Sequence, residues 1–340
     1  MNYMRIIFKK FKARMIVGCI LAVIALLAVS VIVFINQASF GRTPRGERLE
    51  RVMKSPNYRN GEFKNQHETL LMTSDRGRFS GIWEFIFRKI DGLRPEQAVK
   101  AIKTDLRKIG RNEEILVWFG HSSYLIQTGG KRILVDPVFC MASPVSFVNK
   151  PFKGTELYTP DDMPDIDYLV ISHDHWDHLD YNTVKKLKDR IGAVICPLGV
   201  GEHFEYWGFD KERLIELDWN EDANLAPGFM IHCLPARHFS GRRLTANQSL
   251  WASFLLEAPS QKIYIGGDGG YDTHYAEIGN RFPGIDLAIL ENGQYNEEWS
   301  LIHLMPQYMA QTARDLKAKR VLTVHHSKYA LAKHRWDEPL

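Results

Sequence analysis

Ser172-His173-Asp174-His175-Trp176-Asp177-His178 follows directly on the apolar run Tyr168-Leu169-Val170-Ile171. Four metal-capable side chains, His173, His175, Asp177 and His178, therefore crowd one strand end and the turn after it. Imidazole and carboxylate together suit zinc or a similar transition metal. So dense a group of polar side chains needs partners wherever the chain buries it. A surface loop that is His-rich by chance is the alternative, and the rest of the chain argues against it.

Working outward, similar groups recur where other apolar runs end. His238 stands in Pro235-Ala236-Arg237-His238, after residues 230–234. Asp268 stands in Gly266-Gly267-Asp268-Gly269, after 262–265, and His325 follows 321–324. Further β-rich runs cover 115–119, 124–127, 132–135, 168–172, 193–196, 250–256 and 287–290. Helical patterns lie near 180–190, 273–280 and 306–318. Strands alternating with helices predict an α/β domain of two or more layers. Candidate ligands at strand exits match the place where such sheets put their sites.

His173-x-His175-x-Asp177-His178 followed in order by His238, Asp268 and His325 resembles the metallo-β-lactamase superfamily, over roughly residues 112–340. The resemblance implies a four-layer αββα sandwich with two metals, usually zinc, at one edge of the sheets, another divalent metal being an alternative. His173, His175 and His238 would hold one metal and Asp177, His178 and His325 the other, with Asp268 between them. A metal-bridging hydroxide would attack the substrate, and Asp177 and Asp268 would serve catalysis as well as ligation.

Within the superfamily, the chain is similar to the N-acyl-phosphatidylethanolamine-hydrolysing phospholipase D branch and its bacterial relatives. The carriers are Trp118-Phe119-Gly120-His121-Ser122-Ser123, Leu134-Val135-Asp136-Pro137-Val138-Phe139, Ala142-Ser143-Pro144, Pro235-Ala236-Arg237-His238 and Tyr329-Ala330-Leu331-Ala332. The chain departs from that branch at His326 and at Glu291-Asn292-Gly293-Gln294-Tyr295. The resemblance implies phosphodiester hydrolysis of a membrane lipid. A lactonase or amidase, or another phosphodiesterase, on a small molecule would use the same metals and stays open. It also implies that His303 lies by the substrate, in contact with it or giving a proton to the leaving group. Asp136 reads either as a hydrogen-bond acceptor for a ligand histidine or as a strand-end cap with Pro137. His121 reads as support for a ligand or as structural. His326 reads as a solvent-exposed neighbour of His325 or as an extra polar group at the metal mouth.

The N-terminus has a different character. Residues 15–35 hold 21 residues without a charge, enough at about 1.5 Å per residue to span the roughly 30 Å core of a bilayer. The apolar run is longer than that of a cleaved signal peptide and lacks a small-x-small site after it. The expected organisation is a basic arm over 1–14, a transmembrane anchor over 15–36, a juxtamembrane linker over 37–61, and a hydrolase domain over 62–340 that begins with a helical extension. Trp83, Phe85, Ile86, Phe87 and Ile90 form an apolar patch in that extension. Lys9, Lys10, Lys12 and Arg14 before the anchor favour a single pass with the catalytic part exported, although Arg42, Arg45, Arg48, Arg51 and Lys54 follow it. These later cations could lie against anionic lipid heads. The net charge of +4 divides into +9 over residues 1–60 and −5 over the remainder. A mildly acidic catalytic part carries no nucleic-acid footprint. The four cysteines show no CxxC spacing and no disulfide framework. The expected partners are thus a membrane lipid as substrate and the bilayer, with no nucleic acid. Oligomeric state is not readable.

Overall fold

The computed structural model describes residues 2–73, 90–145 and 147–340. The chain divides into two units, 1–40 and 41–340. The first is a single helix, α1 (Asn2–Ile35), followed by the short turn Ala38–Phe40. Lys10–Ile35 is long and apolar enough to cross a membrane, and none of that window is buried.

The second unit holds two six-stranded sheets. One is built in spatial order from β3 (Ile115–Trp118), β4 (Tyr124–Thr128), β5 (Lys131–Val135), β6 (Ile166–Val170), β7 (Ile191–Pro197) and β8 (Leu214–Leu217). The other runs in spatial order from β14 (Val321–Val324) through β13 (Leu287–Glu291), β12 (Lys262–Ile265), β11 (Ser253–Glu257) and β10 (Phe229–Leu234) to β9 (Asp222–Ala226). Strands β5 to β8 are mutually parallel, as are β12 to β14. The period-2 pattern explains the layering. Tyr168 and Val170 of β6 enter the core between the sheets, while Leu169 faces the outer layer. Ile263 and Ile265 of β12 do the same with Tyr264 outward. The first sheet's outer core includes side chains of α3 (Tyr181–Leu187) and α4 (Gly201–Tyr206), and the second's those of α5 (His274–Arg281) and α6 (Met309–Asp315). The expected αββα sandwich is present.

One expectation for the N-terminal part needs correction. The stretch 41–61 is no linker: it folds as α2 (Gly46–Lys54) and a hairpin of β1 (Tyr58–Arg59) and β2 (Glu62–Phe63). Val52 and Phe63 are fully buried in the inter-sheet core. Arg48 lies 2.6–2.9 Å from Glu216, Glu202 and Glu205, Arg42 2.6 Å from Glu202, and Arg51 2.7 Å from Glu221. These cations are taken up by carboxylates more than 150 residues away in the chain. The helical extension is described only at its two ends, residues 74–89 lying outside the described residues. The described residues of 62–73 and 90–110 contain no α-helix, only β2 and the short turn Leu106–Lys108. Gly92 and Pro95 interrupt the stretch, and its backbone bonds go elsewhere: Val99 N–H to Lys153 O, and Thr104 N–H to the Tyr158 hydroxyl. Trp83, Phe85, Ile86 and Phe87 of the apolar patch lie outside the described residues.

Candidate metal centre

The chain exits β6 through Ile171 and Ser172 into a tight turn in which His178 and Leu179 donate N–H bonds to His175 O. His173 and His175 there meet His238, which follows β10. His173 Nε2 lies 2.9 Å, and His238 Nε2 3.3 Å, from His175 Nδ1. The ligand nitrogens of a tetrahedral zinc sit about 3.3 Å apart when each metal–nitrogen bond is near 2.0 Å. A second group brings Asp177, His178, His325 and His121 together, with one ligand atom of each within 4.8 Å of the others. Asp268, two residues beyond the Gly266 that follows β12, joins the groups. Its Oδ2 is 3.1 Å from His178 Nε2 and 3.9 Å from His238 Nε2, and its Oδ1 is 2.9 Å from His325 Nδ1.

The donor set fits divalent metals. Burial holds His173 and His238 well below the usual imidazole range, so both are neutral and have free lone pairs. His178 Nε2, Asp268 Oδ1 and His121 Nδ1 are buried and form no aligned hydrogen bond among the described residues. Close approach without alignment is what donors show when they converge on a common point. Burial opposes charge on His178, but the Asp268 and Asp177 carboxylates outweigh it and hold this imidazolium well above its usual range. Burial likewise raises Asp177 and Asp268, and the His178 charge more than reverses it. A divalent cation would replace that proton as the counter-charge, as metal binding at titratable donors requires.

The donors are held from behind. Asp136, at the end of β5, accepts from Ser172 N–H at 2.8 Å, Ser172 Oγ at 2.6 Å and His178 Nδ1 at 2.8 Å. Its peptide oxygen also receives Ser123 Oγ at 2.7 Å, so it both braces a histidine and closes the strand end. His121 Nε2 contacts Asp177 Oδ2 at 3.0 Å. His238 donates Nδ1–H to Ile302 O at 2.7 Å. His121, Asp136 and His325 all have positive φ, at 54°, 40° and 70°. Non-glycine residues rarely adopt that region, and strain of this kind gathers at functional sites. Backbone bonds from His121 N–H to His326 O and from His325 N–H to His121 O tie two of these strained turns together.

His303 lies at the same edge, its Nδ1 2.8 Å from Glu291 Oε2 and 4.0 Å from Asp268 Oδ2. Burial would depress this imidazole, but the Glu291 carboxylate reverses that and raises it to about 9. Sequence reasoning misses Glu291. Its Oε1 also accepts the N–H groups of Gly269 at 2.6 Å and Leu304 at 2.9 Å. A lone glutamate closing the apolar strand Leu287–Glu291 is its only signal. Ser122, whose Oγ lies 2.8 Å from His325 Nδ1, is likewise missed.

Asp174 of the opening motif turns away from the two donor groups, to Gly241 N–H, Ser249 Oγ and His203. His326 is not exposed and joins neither donor group among the described residues. It is buried against Trp118, ring centres 4.8 Å apart, with Nδ1 2.8 Å from Ser327 Oγ.

Residues 131–326 match the family of the beta-lactamase superfamily domain. An uncharacterized protein of Mycobacterium tuberculosis is 36% identical over 296 residues, covering 84% of this chain and 78% of its own length. N-acyl-phosphatidylethanolamine-hydrolyzing phospholipase D 1 of Caenorhabditis elegans is 29% identical over 231 residues, covering 63% of this chain and 64% of its own. Among solved structures, CmlA, a diiron beta-hydroxylase from Streptomyces venezuelae, shares the fold with a TM-score of 0.50 at 19% identity, covering 67% of this chain and 48% of CmlA.

Proposed function

The chain belongs to the metallo-β-lactamase superfamily, and on that premise we propose that it is a metal-dependent hydrolase holding two divalent ions, zinc in the first instance. The observation that carries this reading is the pair of donor groups sharing Asp268: three imidazoles on one side, and Asp177, His178 and His325 on the other. Two metals bound there would supply water activation near neutral pH and Lewis-acid stabilisation of the oxygen on which charge builds.

The chain's own residues do the rest. Asp136 fixes the His178 ring and the Ser172 turn, and Ile302 O fixes the His238 ring. His121 orients Asp177, whose carboxylate can align the attacking water. Glu291 favours the imidazolium form of His303 and holds its Nδ1–H, so that Nε2–H can pass its proton to the leaving oxygen and the ring ends neutral.

The substrate we propose is a membrane phosphodiester of the N-acyl-phosphatidylethanolamine kind, cleaved on the phospholipase D side. Support comes from the named activity of the Caenorhabditis elegans relative and from the apolar helix Lys10–Ile35, which would anchor the protein in a bilayer. The cluster Lys9, Lys10, Lys12 and Arg14 before that helix favours an exported catalytic unit.

The test uses the full chain in detergent, loaded with zinc and given N-acyl-phosphatidylethanolamine, bis(p-nitrophenyl) phosphate and a panel of lactones. Release of phosphatidic acid from the lipid would support the whole reading. Turnover of the artificial diester or of lactones alone would keep the hydrolase and refute the lipid assignment. No turnover of any substrate by protein shown to be metal-loaded would refute hydrolysis.

A further inference from the structure

The loop that carries His238 is fastened by a segment preceding both large sheets. Asn65 pairs its carboxamide with both backbone polar groups of His238: Nδ2 donates to His238 O at 2.8 Å, and Oδ1 accepts His238 N–H at 3.1 Å. The same Oδ1 accepts Trp251 Nε1–H at 3.1 Å, and that indole also donates to Ala236 O at 2.9 Å. The neighbours of Asn65 grip the loop along its length. Phe63 N–H donates to Asn247 O at 2.9 Å, and Gln248 Nε2 donates to Gly61 O at 3.1 Å. Arg237 donates to Thr69 Oγ1 at 3.0 Å and to Glu68 O at 2.9 Å. From the other side, Ile302 O holds the His238 ring. Position 238 is therefore fixed at its backbone by residue 65 and at its ring by residue 302.

We propose that Asn65 is a positioning residue for His238, and that segment 61–69 is an integral part of the metal centre rather than a lead-in to the domain. The inference rests on the reading that His238 helps to hold a metal. Asn65→Ala removes the bonds to the His238 backbone while leaving every candidate ligand in place. Asn65→Asp keeps the shape and the acceptor, but sets a carboxylate oxygen against His238 O. Gln248→Ala breaks a strap contact to the same loop without touching position 238. Partners that orient ligands typically carry about 10–100-fold of metal affinity.

The experiment measures zinc affinity of the full chain by competition with a chromophoric chelator, records the cobalt(II) spectrum, and follows melting of the metal-free form. We expect Asn65→Ala and Asn65→Asp to lose at least about tenfold in zinc affinity and to change the cobalt spectrum, with Gln248→Ala like wild type. Wild-type affinity and spectrum in both Asn65 variants would overturn the proposal. So would an affinity loss that Gln248→Ala shares in step with lowered melting. If Asn65→Ala does not fold, Asn65→Asp decides by the same criteria. A wild-type chain that binds no zinc would instead refute the metal-centre reading itself.

Discussion

Asp136 shows how much of the site rests on single residues. One carboxylate serves the His178 ring and both donors of Ser172, its N–H and hydroxyl, and Ser172 Oγ in turn lies 2.9 Å from His173 Nδ1. Asp136→Ala should cost roughly 10–100-fold in metal affinity with every candidate ligand intact, checked by chelator competition. Glu291→Gln tests a different property. The amide can still accept from Gly269 and Leu304, but His303 loses its counter-charge. Turnover should fall by about tenfold or more for an alkoxide leaving group and much less for p-nitrophenolate, which needs no proton, with metal content unchanged. An equal loss on both substrates would remove His303 from the proton-donating role. All seven residues expected to hold metals are brought to one edge, because each follows a strand and a strand end is legible as an apolar run that stops. Asn65 and Glu291 are not legible. Asn65 acts through a carboxamide on a backbone 173 residues distant, and nothing local to position 65 marks it. Glu291 looks like the polar end of a strand, and only the fold brings Gly269, Leu304 and His303 around it.

At the scale of elements, strong apolar runs are readable and weakly patterned ones are not. β9 consists of Asp222, Ala223, Asn224, Leu225 and Ala226, residues mostly poor in β-propensity, and β8 with β9 forms the far edge of each sheet. Such edges are half-exposed, so no period-2 contrast marks them. The short helix α2 escapes sequence reasoning for another reason: its cations look free until the distant carboxylates are in place. Arg48 is nearly buried and shared among Glu202, Glu205 and Glu216, and Glu202 and Glu216 are themselves almost inaccessible. Removing one partner from such a cluster leaves uncompensated buried charge. Arg48→Ala should therefore lower stability by roughly 3 kcal/mol, read as a reduced midpoint in urea. Lys54→Ala, at an exposed position of the same helix, should be close to neutral. Equal midpoints for the two variants would contradict the view that α2 belongs to the domain.

Across the whole molecule, the sandwich rests on strands that the sequence shows plainly as apolar runs in β6 and β12, and the four layers on helices placed between parallel strands. The folding of 41–63 onto the domain is not legible, because long-range ion pairs decide it, together with Val52 and Phe63 entering a distant core. The buried histidines outside the metal edge give the molecule a pH dependence of defined sign. Burial lowers both His274 and His326 to about 4, against about 6.5 for an unfolded histidine. Between those values the unfolded chain binds more protons, so stability is complete above about pH 6.5 and declines as pH falls towards 4. In the metal-free protein, His274→Leu should flatten the fall of melting temperature between pH 7 and 5, and an unchanged slope would contradict this assignment. The central claim is the dinuclear centre, and metal content tests it most directly. The full chain, purified and reloaded with zinc, should retain about two ions per chain, and His175→Ala should retain fewer and hydrolyse neither diester nor lactone. A wild-type chain that holds no zinc after reloading, or a His175→Ala variant with undiminished metal and turnover, would contradict the account.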